Sequence, residues 1–312
     1  MPADAFAAEL ERLGPGAPHS REPSSARSRR YCRRLAGRHY ENFTVASWLL
    51  PRRLKQHFCN VYAYCRWADD LADETGDRAE SGRLLDWWEE QLRECYEGRA
   101  THPVFVALSE TIRQFDIPPE PFADLLAAFR QDQRVSRYET FDDLLEYCRH
   151  SANPVGRLVL YLGGCHDPRR AGLSDRICTG LQLANFWQDV AGDWDRGRVY
   201  LPQEDCRRFG YEESMFARRE ANDAFRRLLA AEVDEAEAWL RRGLPLAGLV
   251  PPGLRLDVAL FVHGGLAILD AIRRADYDVW SRQPTLSKLD KLRLAARCWW
   301  RLRRGAIGEA AP

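Results

Sequence analysis

The sequence predicts an all-α fold, and three observations carry that prediction. Apolar residues recur at three- and four-residue spacing from about residue 35 almost to the end of the 312-residue chain, the period of an amphipathic helix. Alternating β-branched runs bounded by turn residues, which would mark half-buried strands, are missing. Helix breakers cut the periodic stretch at short intervals, leaving about nine or ten helices of some 12 to 24 residues joined by short loops.

Taken in order, residues 1–30 are rich in Ala, Pro, Gly, Ser and Arg without a sustained period, and Arg21 to Arg34 holds six Arg against one Glu. This composition predicts a flexible N-terminal tail. The folded region is expected over 31–304, with breakers at Pro51, Gly76, Gly98 to Pro103, IPPEP (117–121), Asp167-Pro168, Leu201-Pro202, Gly243 to Pro245, VPPG (250–253) and Gln283-Pro284. Residues 305–312 read as a short C-terminal tail. No internal repeat and no Pro/Gly/Ser linker divides the region from 35 to 304, so a single-domain helical bundle follows.

Composition narrows the function. The chain is 45% hydrophobic and 29% charged, and its 46 Lys plus Arg balance 46 Asp plus Glu. No global field therefore draws it to nucleic acid, which is excluded as a partner, and any charge-driven function is local. Nine cysteines are scattered without a Cys-x-x-Cys pair, as in buried thiols of a reducing compartment; we read that compartment as cytoplasmic. The most apolar run, Val258 to Leu269, falls well short of the roughly 20 residues needed to cross a bilayer. The N-terminus, acidic early and without an apolar core, does not read as a secretory signal.

The informative stretch is RWADDLADE at 66–74. Asp69 and Asp73 are four apart, hence on one helix face about 6 Å apart along the axis, with Asp70 beside them. Two carboxylates at that spacing repel by on the order of 3 kcal/mol at an effective dielectric near 20. Such a pair calls for a cation, unless the face is simply solvated or pairs with Arg66. A second segment, QLANFWQDVAGDWDRGRVY at 182–200, sets Asn185, Asp189 and Asp193 at the same spacing in another apolar run. Two antiparallel helices of a bundle would bring such stripes face to face. Hard oxygen ligands in small numbers from each side suit Mg²⁺, which keeps waters and shares its remaining positions with substrate phosphates. Asp69, Asp70, Asp73, Asn185, Asp189 and Asp193 are thus the candidate metal ligands around a diphosphate.

Arg66, Arg198 and Tyr200 flank the two stripes, placed to contact diphosphate oxygens, although each alone is equally an ordinary salt bridge or core residue. Aromatic residues make 11% of the chain, and Tyr40, Phe43, Tyr62, Tyr147, Phe186, Trp187 and Tyr277 lie in or near these segments. Rings lining a cavity hold an isoprenoid tail and stabilise a carbocation through their faces. His39 is read with equal weight as a substrate contact or a structural histidine. No nucleotide-binding glycine motif, nucleophile elbow or H-E-x-x-H is present, and only Lys55, Lys288 and Lys291 supply lysines,.

These residues resemble the squalene and phytoene synthases, all-α enzymes that join two prenyl diphosphates head to head. The likeness covers about residues 38 to 300 through HYENF (39–43), YAYCRWADDLAD (62–73), YCRHSANPVGRLVL (147–160), QLANFWQDVAGDWDRGRVYLP (182–202), and YDVW with SKLDKL (277–292). It implies an isoprenoid-synthase-type bundle with a central cavity, and two or three Mg²⁺ ions held by Asp69, Asp73, Asn185, Asp189 and Asp193 against the substrate diphosphate. It also implies substrate contacts at His39, Tyr40, Asn42, Phe43, Arg66, Gln182, Arg198, Tyr200 and Tyr277, with Tyr147 and the aspartates as catalytic candidates.

Within the family, SANPVGRLVL together with HYENFTVAS is most like the hydroxysqualene synthase of the bacterial hopanoid pathway. Phytoene synthases usually carry a VAG- or VAS-type stretch where Ser151 to Pro154 stand. That likeness implies presqualene diphosphate as substrate, water capture without NADPH, and association with other enzymes of the hopanoid pathway. A squalene or phytoene synthase condensing two prenyl diphosphates, farnesyl diphosphate among them, is the alternative. A class I terpene cyclase matches DDxxD, but Asp189 and Asp193 stand where its second site has Ser/Thr and Glu. Residues 288–304, with seven Lys or Arg, one Asp and Trp299-Trp300, read either as a peripheral contact with the inner face of the cell membrane or as a helix packed on the bundle.

Overall fold

The computed structural model describes residues 3–17, 24–38 and 51–304. The fold is all-α, as the periodicity predicts; the described residues hold no strand, only an isolated parallel bridge between Arg137 and Val199. The helices group into two compact units, Met1–Arg134 and Val135–Pro312.

In the first unit the helices are α1 (Ala3–Leu13), α2 (Ser25–Arg38), α3 (Arg52–Asp73), α4 (Arg78–Tyr96), α5 (Pro103–Phe115) and α6 (Glu120–Asp132). Pro51, Gly76 and the 117–119 prolines lie between them, where a missing N–H or a positive φ stops a helix. For the described part of 1–30, residues 3–17 and 24–30, the expectation of an unstructured tail is corrected here. Phe6 of α1 is buried edge-on to Trp67, with ring centroids 5.4 Å apart. In α2, Ser28, Tyr31, Cys32 and Leu35 face inward while Arg29 pairs outward with Glu110 at 2.9 Å. Arginines on the outer face dilute the composition without breaking the helical period, so the amphipathic stripe was hidden in the average.

α3 forms the spine of this unit. Tyr64, Trp67, Ala68 and Leu71, at three- and four-residue spacing, are fully buried. Trp67 stacks on Trp88 of α4 at 5.3 Å and 11°. Its Nε1 donates to the Tyr31 hydroxyl at 2.9 Å, and the Tyr64 hydroxyl donates to the Phe122 carbonyl at 2.9 Å. Each ring buried this way stabilises the unit by about 1.5–3 kcal/mol. Rotation about α3 is thereby set, and the same rotation turns Arg66, Asp69 and Asp73 away from the core.

The second unit contains α7 (Phe141–Ser151), α8 (Asn153–Leu162), α9 (Pro168–Gln188), α10 (Val190–Asp195), α11 (Gln203–Phe209), α12 (Glu213–Ala217), α13 (Asp223–Gly243), α14 (Leu246–Leu249), α15 (Pro252–Arg274) and α16 (Lys288–Arg303). α9 runs through its middle, packed on α8, α13 and α15. Glycine permits the closest crossing: a Cβ on Gly180 of α9 would stand 2.9 Å from the Leu240 backbone nitrogen of α13, inside van der Waals contact. Trp187 is fully buried, and its Nε1 donates to the Glu232 carbonyl at 3.0 Å. None of the nine cysteines is in a disulfide. Among the described residues no helix is long and apolar enough to cross a membrane.

Candidate active site

On α3 of the first unit, Arg66 is the hub. Its Nε donates to Asp70 Oδ2 at 3.1 Å and its Nη2 pairs with the other Asp70 oxygen, while Nη1 lies 3.1 Å from Asp69 Oδ2. Asp70 is fully buried, Asp69 half-buried and Asp73 exposed. The three aspartates are therefore not equivalent. Asp70 grips the guanidinium from the core side; Asp69 and Asp73 present carboxylates on the open side. Burial, reinforced by the charges of Asp73 and Asp70 and opposed by Arg66, pushes the Asp69 carboxyl up to about 6. Tyr62, one turn before Arg66, is raised by burial and by the Asp69 and Asp70 charges, with Arg66 opposing.

In the second unit the spacing of Asn185, Asp189 and Asp193 survives with a break. α9 stops at Gln188, Asp189 turns to φ −110° and ψ 22°, and α10 begins at Val190. The backbone bonds continue across it, Asp189 N–H to Asn185 O at 3.0 Å and Asp193 N–H to Asp189 O at 2.9 Å. Gly192 makes room for the acid: a Cβ there would sit 2.5 Å from Asp189 Oδ1. Burial and the Asp189 charge push the Asp193 carboxyl up to about 7, against the pull of Arg196 and Arg198.

Two partners of these acids were not found from the sequence. Arg196 lies 3.4 Å from Asp189 and 3.3 Å from Asp193, and Gln283 donates from Nε2 to Asp189 Oδ1 at 3.0 Å. Gln188 donates to the Pro284 carbonyl at 2.6 Å, so the Gln283-Pro284 breaker docks on the end of α9. The arginine was legible in DWDRGR, three residues after Asp193. The glutamine carried no sequence signal beyond its place before a proline.

Asp193, Arg198, Tyr200 and Phe186 line one small pocket with Val190, Val199 and Leu201. The Phe186 and Tyr200 rings stack at 3.8 Å and 10°, and Tyr147 lies 5.9 Å from Tyr200 and 6.2 Å from Phe186. Tyr138, another residue missed from the sequence, stacks on Tyr200 at 5.8 Å. The Val199 N–H donates to the Ser136 carbonyl at 2.9 Å, which fixes RVYLP beside the segment bearing Tyr138. Asn185 is exposed and Gln182 half-buried one turn earlier on α9. Tyr277 is half-buried just beyond the C-terminus of α15, at φ 59° with its N–H on the Ile272 carbonyl at 3.0 Å. Trp187 belongs to the core behind the motif. His39, Tyr40, Asn42 and Phe43 lie outside the described residues.

The donor chemistry fits magnesium. Every candidate ligand is an oxygen, and Asp69 and Asp193 are half-buried carboxylates raised in part by neighbouring carboxylates, a strain that a divalent cation relieves. Among the described residues no group of three or more His, Cys, Asp or Glu side chains is gathered closely enough to hold a metal ion.

A family model described as squalene/phytoene synthase matches residues 29–290. The phytoene synthase of Arthrospira platensis is 32% identical over an alignment of 282 residues that covers 85% of this chain and 91% of that protein. Among solved structures, the squalene synthase HpnC from Alicyclobacillus acidocaldarius is 48% identical with a TM-score of 0.78, over 82% of this chain and 97% of that one. A dehydrosqualene synthase in complex with ligand is 28% identical with a TM-score of 0.81, over 90% and 98%.

Proposed function

Because the chain belongs to the squalene/phytoene synthase family, enzymes that act on prenyl diphosphates, we propose that it converts presqualene diphosphate to hydroxysqualene in hopanoid biosynthesis. In that reaction diphosphate leaves and water is captured. The observation that carries the squalene-type part of this reading is the 48% identity to HpnC, a squalene synthase, against 28% to the dehydrosqualene synthase and 32% to the phytoene synthase. The Ser151–Pro154 stretch supports it. In the structure this stretch makes the junction of α7 and α8, where the buried Asn153 accepts from the Thr179 hydroxyl at 3.0 Å.

Asp69, Asp73, Asn185, Asp189 and Asp193 are the residues that would hold Mg²⁺. When bound, that ion supplies Lewis-acid stabilisation of the departing diphosphate. Arg66 adds a fixed positive charge, kept in place by its grip on buried Asp70, so its guanidinium meets the growing charge on diphosphate oxygens without reorganising. Arg198 offers a second cation beside Asp193. Tyr147, Phe186 and Tyr200 present ring faces and exclude water from the carbocation until capture. NADPH is not required in this scheme, since no hydride is delivered.

A phytoene or squalene synthase activity on two prenyl diphosphates is the second reading, favoured by the phytoene synthase relative. Mass spectrometry of products formed with Mg²⁺ from presqualene diphosphate, with and without NADPH, and in separate reactions from geranylgeranyl and farnesyl diphosphates, separates them. Hydroxysqualene in both reactions supports the proposal. Squalene formed only with NADPH, phytoene from geranylgeranyl diphosphate, or a cyclic C15 product from farnesyl diphosphate would each replace it.

A further inference from the structure

Among the described residues the large apolar side chains left exposed are Leu289, Leu292, Trp299 and Trp300, at 54%, 68%, 47% and 50%. All four belong to α16. At about 100° per residue they fall with Ala296 within about 100° of arc. The opposite side of the same helix carries Leu294, Cys298 and Leu302, half-buried or buried, and packs on α15. This helix is thus apolar on two faces, and among the described residues nothing covers one of them.

Charge says what covers it. Residues 288–304 contain seven Lys or Arg and one Asp, a local excess of positive charge in a chain whose 46 Lys plus Arg match its 46 Asp plus Glu. Arg293, Arg297 and Arg304 border one side of the stripe and Lys288 the other, all exposed. The Arg303 guanidinium lies 4.1 Å from the Trp299 ring centroid, and that of Arg304 lies 3.4 Å from the Trp300 centroid. Stems and rings below, guanidinium groups at the rim: this is how amphipathic side chains meet a headgroup layer. A second copy of the chain is disfavoured, since a twofold interface would set this basic face against itself.

We propose that the outer face of α16 is a docking surface for anionic phospholipid, with Leu289, Leu292, Trp299 and Trp300 entering the headgroup–acyl boundary and the flanking basic residues contacting lipid phosphates. The proposal stands independently of the reaction, because binding to vesicles is read without substrate.

The test is co-sedimentation of the full chain with vesicles of phosphatidylcholine alone or mixed with phosphatidylglycerol, at low and high salt, with light scattering of the lipid-free protein. Binding is expected only to the anionic vesicles, weakening as salt screens the contact. Arg293→Gln with Arg297→Gln should weaken it about fivefold per charge. Trp299→Ala with Trp300→Ala, or Leu292→Gln alone, should also release the protein at unchanged helicity. Arg83→Gln, an exposed change in the first unit, should not. Equal binding to both vesicle types, or by the Trp and Leu variants, would overturn the proposal. A lipid-free dimer that the Trp variants convert to monomer would likewise overturn it and assign the face to a second copy.

Discussion

Replacing Glu232 with Gln should stabilise the protein in a way that depends on pH. Glu232 is 3% exposed on α13, its backbone carbonyl holding Trp187 directly behind the second acidic segment. Burial, then the charge and hydrogen bond of Asp205, push its carboxyl from the ordinary 4.5 up to about 9. The folded state therefore keeps a proton that the unfolded chain releases above pH 4.5. Between those two values, stability falls by about 1.4 kcal/mol per pH unit. At about pH 7.5 the accumulated loss is on the order of 4 kcal/mol. Glutamine retains a donor for Asp205 and never ionises, so Glu232→Gln recovers that loss. Urea unfolding of both proteins from about pH 4.5 to 8 reads the difference. The gap should be near zero at the acid end and widen as pH rises. A gap of constant size would refute the reasoning, because it would mean that Glu232 is already ionised in the fold.

Other substitutions test the two acidic segments and their scaffold. Asp70→Asn removes the buried carboxylate that holds Arg66; a stability loss of about 3 kcal/mol in urea unfolding is expected, with a raised KM for the diphosphate substrate, and an unchanged KM would count against Arg66 as a diphosphate contact. Gly192→Ala drives a methyl into the space of the Asp189 carboxylate, so the Mg²⁺ concentration for half-maximal activity should rise about 10–100-fold while helicity is retained. Asp69→Asn or Asp189→Asn should abolish turnover with helicity unchanged by circular dichroism. Gly180→Ala overpacks the α9–α13 crossing and should cost about 1–3 kcal/mol, measured in the same unfolding assay.

Local chemistry was legible in the sequence. The three- and four-residue apolar spacing predicted helices, and the breakers at Pro51, Asp167-Pro168, Leu201-Pro202 and the 250–253 prolines lie where the structure interrupts or starts them. The carboxylate spacing in each segment was equally plain, since residues four apart share a face whatever the rest of the chain does. The turn at Asp189 was not legible, because no Gly or Pro marks it.

By itself, then, the sequence determined the helical class, the breaks made by proline and glycine, and the two sets of carboxylates, all of which depend on neighbours within a turn or two. Only the tertiary structure decided which of three adjacent aspartates is buried against Arg66, that an arginine-rich terminus forms helices under Phe6 and Tyr31, and that Gln283 reaches Asp189. Those outcomes depend on which surfaces meet across the chain: Trp67 stacked on Trp88 sets the rotation of α3, and that rotation separates Asp70 from Asp69 and Asp73.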